Sequence, residues 1–99
     1  MPVCDITVVP LGVADSYAAV DEVIRLIAGS GLKYEVGAMS TAVEGELDAL
    51  FGLARAAHDR AVELGATAVL TTLRIHDSRV QEPTIEDKVT HYLRASSSS

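Results

Sequence analysis

At 99 residues the chain has room for one domain with a thin core, which a second subunit would help to stabilise. Its 48% hydrophobic content excludes a disordered chain, its net charge of −6 argues against nucleic acid and anionic membrane surfaces, and 4% aromatics without Trp offer no stacking platform for single strands. A single cysteine, Cys4, rules out an internal disulfide, and the scattered His58, His76 and His91 have no metal-ligand spacing.

The N-terminal "MPVCD" has no basic region with an apolar stretch behind it, so no signal peptide is expected. No apolar run approaches a membrane span, and the expected location is the cytoplasm. Residues 3–9, "VCDITVV", are a β-branched run closed by Pro10-Leu11-Gly12, which predicts a strand and then a turn. Asp15 or Ser16 can cap the helix that follows. Val20, Val23, Ile24 and Ile27 fall on one stripe of it, and Gly29 and Gly31 should end it through a left-handed cap.

"LKYEVG" (32–37) alternates and predicts a half-exposed strand, with 39–44 returning as a hairpin. From Glu46 to Leu64 the apolar positions Leu47, Leu50, Phe51, Ala54, His58 and Ala61 have helical period, and Gly65 stops that helix. "ATAVLTTLRI" (66–75) is the longest strand candidate. After a polar loop, Thr84 and Asp87 resemble a capping box for a short C-terminal helix carrying Ile85, Val89, Tyr92 and Leu93 on one face. The terminal "ASSSS" (95–99) reads as a disordered tail, which leaves one domain over 1–94.

The order β-α-β-β-α-β plus a helix is the split pattern of a ferredoxin-like α+β sandwich, with an antiparallel four-stranded sheet and two helices on one face. Strand alternation then turns Cys4, Ile6, Val8, Leu32, Tyr34, Val36, Val43, Val69, Leu73 and Ile75 toward the helices. Asp5, Thr7, Val9, Ser40, Ala42, Glu44, Leu70, Thr72 and Arg74 face away. This second face is poor in charge, and the last strand is a long apolar edge. Both features predict a homo-oligomer, a dimer or a tetramer.

Two stretches are candidate sites. Pro10-Leu11-Gly12 with Ser16 is either an ordinary turn before a capped helix or a cradle for a polar ligand atom at a helix N-terminus. The segment "GAMSTAVEGEL" (37–47) is either a plain hairpin strand or one wall of a pocket, because an antiparallel third strand should place Met39 and Ser40 beside Pro10. Thr41 would offer a hydroxyl there. Glu44 lies about 10 Å further on at roughly 3.3 Å per residue. His58 on an apolar stripe reads as a satisfied, half-buried histidine. Cys4, in mid-strand, reads as buried and inert.

"ITVVPLG", "GLKYEVGAMSTAVEGE" and "ATAVLTTLRIHDSR" with "TIEDKV" together resemble the thiamine-binding-protein family over about residues 3–93. These are small ferredoxin-like proteins related to tandem-domain proteins that bind thiamine or its hydroxymethylpyrimidine part. The resemblance implies a homo-oligomer without catalysis or cofactor, and thiamine or a related pyrimidine as ligand. It implies a site at the "PLG" turn (Pro10, Leu11, Gly12), the "MST" segment (Met39, Ser40, Thr41) and Glu44. Met39, Leu11 and Tyr17 would supply walls, and Ser16, Ser40 and Thr41 hydroxyls. Glu44 would pair with the thiazolium or the amino group. The family commonly continues "PLG" with Thr and Gly, where this chain has Val13 and Ala14. A small enzyme of the same fold and a purely regulatory or assembly module are the alternatives.

Overall fold

The computed structural model describes residues 1–80 and 83–86. Six elements follow the expected order: β1 (Val3–Leu11), α1 (Ser16–Ala28), β2 (Lys33–Val36), β3 (Thr41–Glu44), α2 (Leu47–Glu63) and β4 (Ala68–His76). The sheet is antiparallel throughout, with strand order β2-β3-β1-β4. This is the ferredoxin-like α+β arrangement. Among the described residues no helix is long and apolar enough to cross a membrane.

Register confirms which side chains face the helices. Cys4 stands between Val43 and Ile75, and Ile6 between Thr41 and Leu73. With Val23 and Ile27 of α1 and Leu50, Leu53, Ala54, Ala57 and Ala61 of α2, these strand residues form or flank the core. Small residues on α2 let it lie close to the sheet. Asp15 caps α1, its Oδ1 accepting from the Ala18 amide at 3.0 Å. Arg60 of α2 donates to Glu22 of α1 at 3.2 Å, and this ion pair joins the helices on their wet side.

Several local expectations need correction. Pro10 and Leu11 do not form the turn; they continue β1, opposite Val69 and Ala68. Proline is tolerated there because the β3 pairing reaches only Ile6, so β1 is an edge on that side. Gly29 is right-handed at φ −78°, and Gly31 at φ +82° is the residue that needs the left-handed region. On α2 the buried stripe includes Leu53 and Ala57, whereas Leu47 and Phe51 are exposed. Both stripes have helical spacing and share Leu50, Ala54 and Ala61. The packing against α1 and the sheet selects between them. All four residues of β2 are exposed, because this short edge strand reaches past the helices. Of the expected C-terminal helix, a turn at residues 85–86 is seen, with Ile85 buried, and the remainder lies outside the described residues.

Candidate functional site

A cavity of about 130 Å³ opens between α1 and the sheet, on the helix side. Its floor is Ile6, Thr7 and Val8 of β1 with Thr41 of β3. One wall is the α1 stripe of Val20, Val23, Ile24 and Ile27, and the other is the β2–β3 hairpin from Val36 to Ser40. The hairpin follows from local chemistry. Val36 pairs with Thr41, and the Gly37 amide donates to the Ser40 carbonyl at 2.8 Å, which closes the tight loop between them. The Thr7 hydroxyl reaches the Met39 carbonyl at 3.4 Å and pins the loop against β1. Val20 and Ile24 are only partly buried although they share the stripe of Val23 and Ile27. They border open space instead of packing against side chains.

The cavity is mainly apolar, and its polar groups are neutral. Thr41 is the one polar side chain in the described core, 6% exposed; Thr7 and Ser40 also border the cavity, with side chains that alternation turns toward the open face. Among the described residues no charged one lines it. Such a site suits a flat, uncharged ring that needs apolar contact and a few hydrogen-bond partners.

The structure brings together only part of the expected set. Met39, Ser40 and Thr41 do line the cavity. They lie beside Thr7 and Val8, however, not beside Pro10, because the register sets Thr41 opposite Ile6. Pro10 is buried against the β4 side of the sheet. Leu11 faces away from the helices by alternation and is 50% exposed. Gly12 adopts φ +74° and packs against Thr67. Ser16 and Tyr17 begin α1 outside the cavity lining, and the Tyr17 side chain is almost wholly exposed. Glu44 lies at the far end of β3, where its Oε2 is 3.6 Å from Lys33 Nζ. Lys33 also pairs with Glu86, so the lysine ties the C-terminal segment to the hairpin strands.

Thr7, Val20, Ile24 and Val36 were not singled out from the sequence as site residues. The signal that would have found them is the register: once Thr41 faces Ile6, the loop ahead of it must cover the next β1 residues and the helix above them. His58 has the structural role expected of it. Its Nδ1 lies 2.7 Å from the Thr71 hydroxyl, joining α2 to β4. Cys4 is 2% exposed. Burial, and then the neighbouring Asp5 charge, push its thiol up to about 11. That thiol is protonated near neutrality and unsuited to nucleophilic chemistry.

The open face holds a second, larger depression of about 340 Å³ around Asp5 and Arg74. The Arg74 Nε donates to Asp5 at 3.0 Å, and its terminal nitrogen contacts the other carboxylate oxygen. Val9, Leu11 and Leu70 lie exposed along the same face.

Comparison with known proteins agrees with this geometry. The family described as thiamine-binding protein matches residues 4–93. The chain is 33% identical to the UPF0045 protein YqgV of Bacillus subtilis, over 90% of this chain and 91% of that one. It is 35% identical to a UPF0045 protein of Clostridium perfringens, over 93% and 99%. Among solved structures it resembles a Bacillus cereus domain of unknown function, with a TM-score of 0.84, 39% identity and coverage of 92% and 88%. It also resembles a candidate thiamine biosynthesis/salvage protein from Thermotoga maritima, with a TM-score of 0.78, 32% identity and coverage of 92% and 97%. With the family matching residues 4–93 and a relative 33% identical over 90% of this chain, the chain belongs to the thiamine-binding protein family.

Proposed function

We propose that this protein is a non-catalytic, homo-oligomeric binder of thiamine or its hydroxymethylpyrimidine moiety, acting in the cytoplasm as a carrier or sensor. The observation that carries the reading is the helix-side cavity. Its apolar walls, the Thr41 hydroxyl and the neutral lining at Thr7, Gly37, Ala38 and Ser40 suit an aminopyrimidine ring. Family membership supports the same ligand class. Met39, Ser40 and Thr41 are the contacts, Tyr17 stands near the mouth, and Pro10, Leu11, Gly12 and Ser16 support the site from outside it. Among the described residues no nucleophile–base pair lines the cavity, and the His58–Thr71 contact is used between α2 and β4.

Assembly is supported by the exposed apolar residues of the open face and by β4, a nine-residue strand at the sheet edge. The reading is tested by calorimetry and thermal melting with thiamine, thiamine phosphate and hydroxymethylpyrimidine. Ligand at 100 times its dissociation constant should stabilise the fold by about 2.7 kcal/mol. Absence of both heat and stabilisation with all three compounds refutes the proposal.

A further inference from the structure

Resting on that reading, we infer that the cavity takes only the uncharged ring, that the cationic half of the ligand sits outside on the Tyr17 ring and Met39, and that Glu44 takes no part. The first argument is size. A cavity of about 130 Å³ is well below the roughly 300–1,000 Å³ of pockets that enclose a whole drug-sized ligand. One ring fits, and a second ring joined to it must lie at the mouth.

The second argument is charge. With no charged residue among the described lining, a cation placed inside would lose its water and gain no counter-charge there. The inner ring is therefore the neutral one. Within its own subunit Glu44 cannot serve the outer ring. It is three residues from Thr41, about 10 Å along the strand at 3.3 Å per residue, on the opposite face of the sheet. Lys33 also neutralises it.

What stands at the mouth is aromatic and polarisable. Tyr17 is three residues before Val20 and seven before Ile24, so it continues the helix face that forms the cavity wall. Its side chain leans toward the helix N-terminus, beyond the lined space. Tyr17 is 84% exposed, and Met39, on the hairpin wall, is 87% exposed. Two large side chains so fully in water at one cavity have no packing role in the isolated chain. An aromatic face attracts a cation, and a thioether adds polarisable contact. Asp15, the α1 cap, brings negative charge to this end of α1, which offsets the positive end of the helix dipole.

The experiment is calorimetric titration of the full chain with thiamine, which is cationic, and with hydroxymethylpyrimidine, which is not. Tyr17→Ala should weaken thiamine roughly 3- to 30-fold, the range of a cation–aromatic contact from exposed to partly desolvated. It should leave hydroxymethylpyrimidine within about 2-fold, at the limit of a difference worth interpreting. Tyr17→Phe keeps the ring and should retain thiamine affinity, and Glu44→Gln should change neither ligand. Tyr17 is exposed enough that the alanine variant should melt with wild type, which shows that it is folded. Unchanged thiamine affinity in Tyr17→Ala, equal loss of both ligands, or selective loss of thiamine in Glu44→Gln overturns the inference while leaving the binding function intact. Failure of the wild type to bind either compound removes the underlying reading, and the inference with it.

Discussion

Gly12 offers a test of the claim that "PLG" is a structural junction and not the ligand contact itself. Replacement by Ala imposes a side chain on a residue at φ +74°. That conformation costs a non-glycine residue roughly 1–2 kcal/mol. A Cβ added there would also overlap the Thr67 hydroxyl and lie 3.0 Å and 3.1 Å from the Thr67 Cβ and Cγ2. Thr67 cannot simply withdraw. Its backbone amide donates to the Leu11 carbonyl at 2.9 Å, and its hydroxyl donates to the same carbonyl at 3.3 Å. Rotating the side chain removes the hydroxyl but not the Cβ contact. Overpacking of this kind adds about 1–3 kcal/mol. The expected total is about 2–5 kcal/mol, or a loss of at least roughly 8 °C in Tm for a domain of this size. Urea and thermal melts of Gly12→Ala and of Gly12→Ala/Thr67→Ala measure it. The double variant removes the hydroxyl and Cγ2 but keeps the Cβ contact, so it should recover part of the steric cost and keep about 1–2 kcal/mol of backbone cost. Under conditions where Gly12→Ala is folded, its ligand affinity should match wild type, because Gly12 does not line the cavity. A single variant within about 0.5 kcal/mol of wild type, the scatter of featureless surface changes, refutes the argument.

Other expectations follow from particular contacts. Cys4 has a thiol pKa raised to about 11, so the unfolded chain releases its proton before the folded one does; stability should fall as pH rises from about 9 to 11, and Cys4→Ala should flatten that slope in pH-dependent melts. His58→Ala removes the partner of the Thr71 hydroxyl and should cost about 1–3 kcal/mol by urea unfolding, with ligand affinity unchanged because neither residue lines the cavity. Leu50→Ala empties a side chain that is 0% exposed and should cost about 2–5 kcal/mol in the same assay. Leu70→Glu places charge on a residue 63% exposed on the open face; sedimentation should show a smaller assembly if that face joins subunits, and an unchanged assembly would remove the face from the interface.

Much of this molecule was legible in its sequence. Hydrophobic alternation in "VCDITVV" and "ATAVLTTLRI" sets which side chains of β1 and β4 meet the helices, because a strand has a period of two and one face must be buried. The α1 stripe and the Asp15 cap are equally local properties. So are the element order and the satisfied state of His58.

What the sequence left open was distance between elements. Periodicity allowed two stripes on α2, and only packing against α1 and the sheet chose the one with Leu53 and Ala57. The register of β3 on β1 depends on hydrogen bonds between strands distant in the chain, and it moved "MST" two residues away from Pro10, from the "PLG" turn to the middle of β1. That shift placed Thr41 in an uncharged cavity beneath Val20 and Ile24. It also left Glu44 at the opposite end of the strand beside Lys33. The residues that can meet a ligand were written in the chain, but which of them meet one another was decided by pairing and burial, which are properties of the folded sheet.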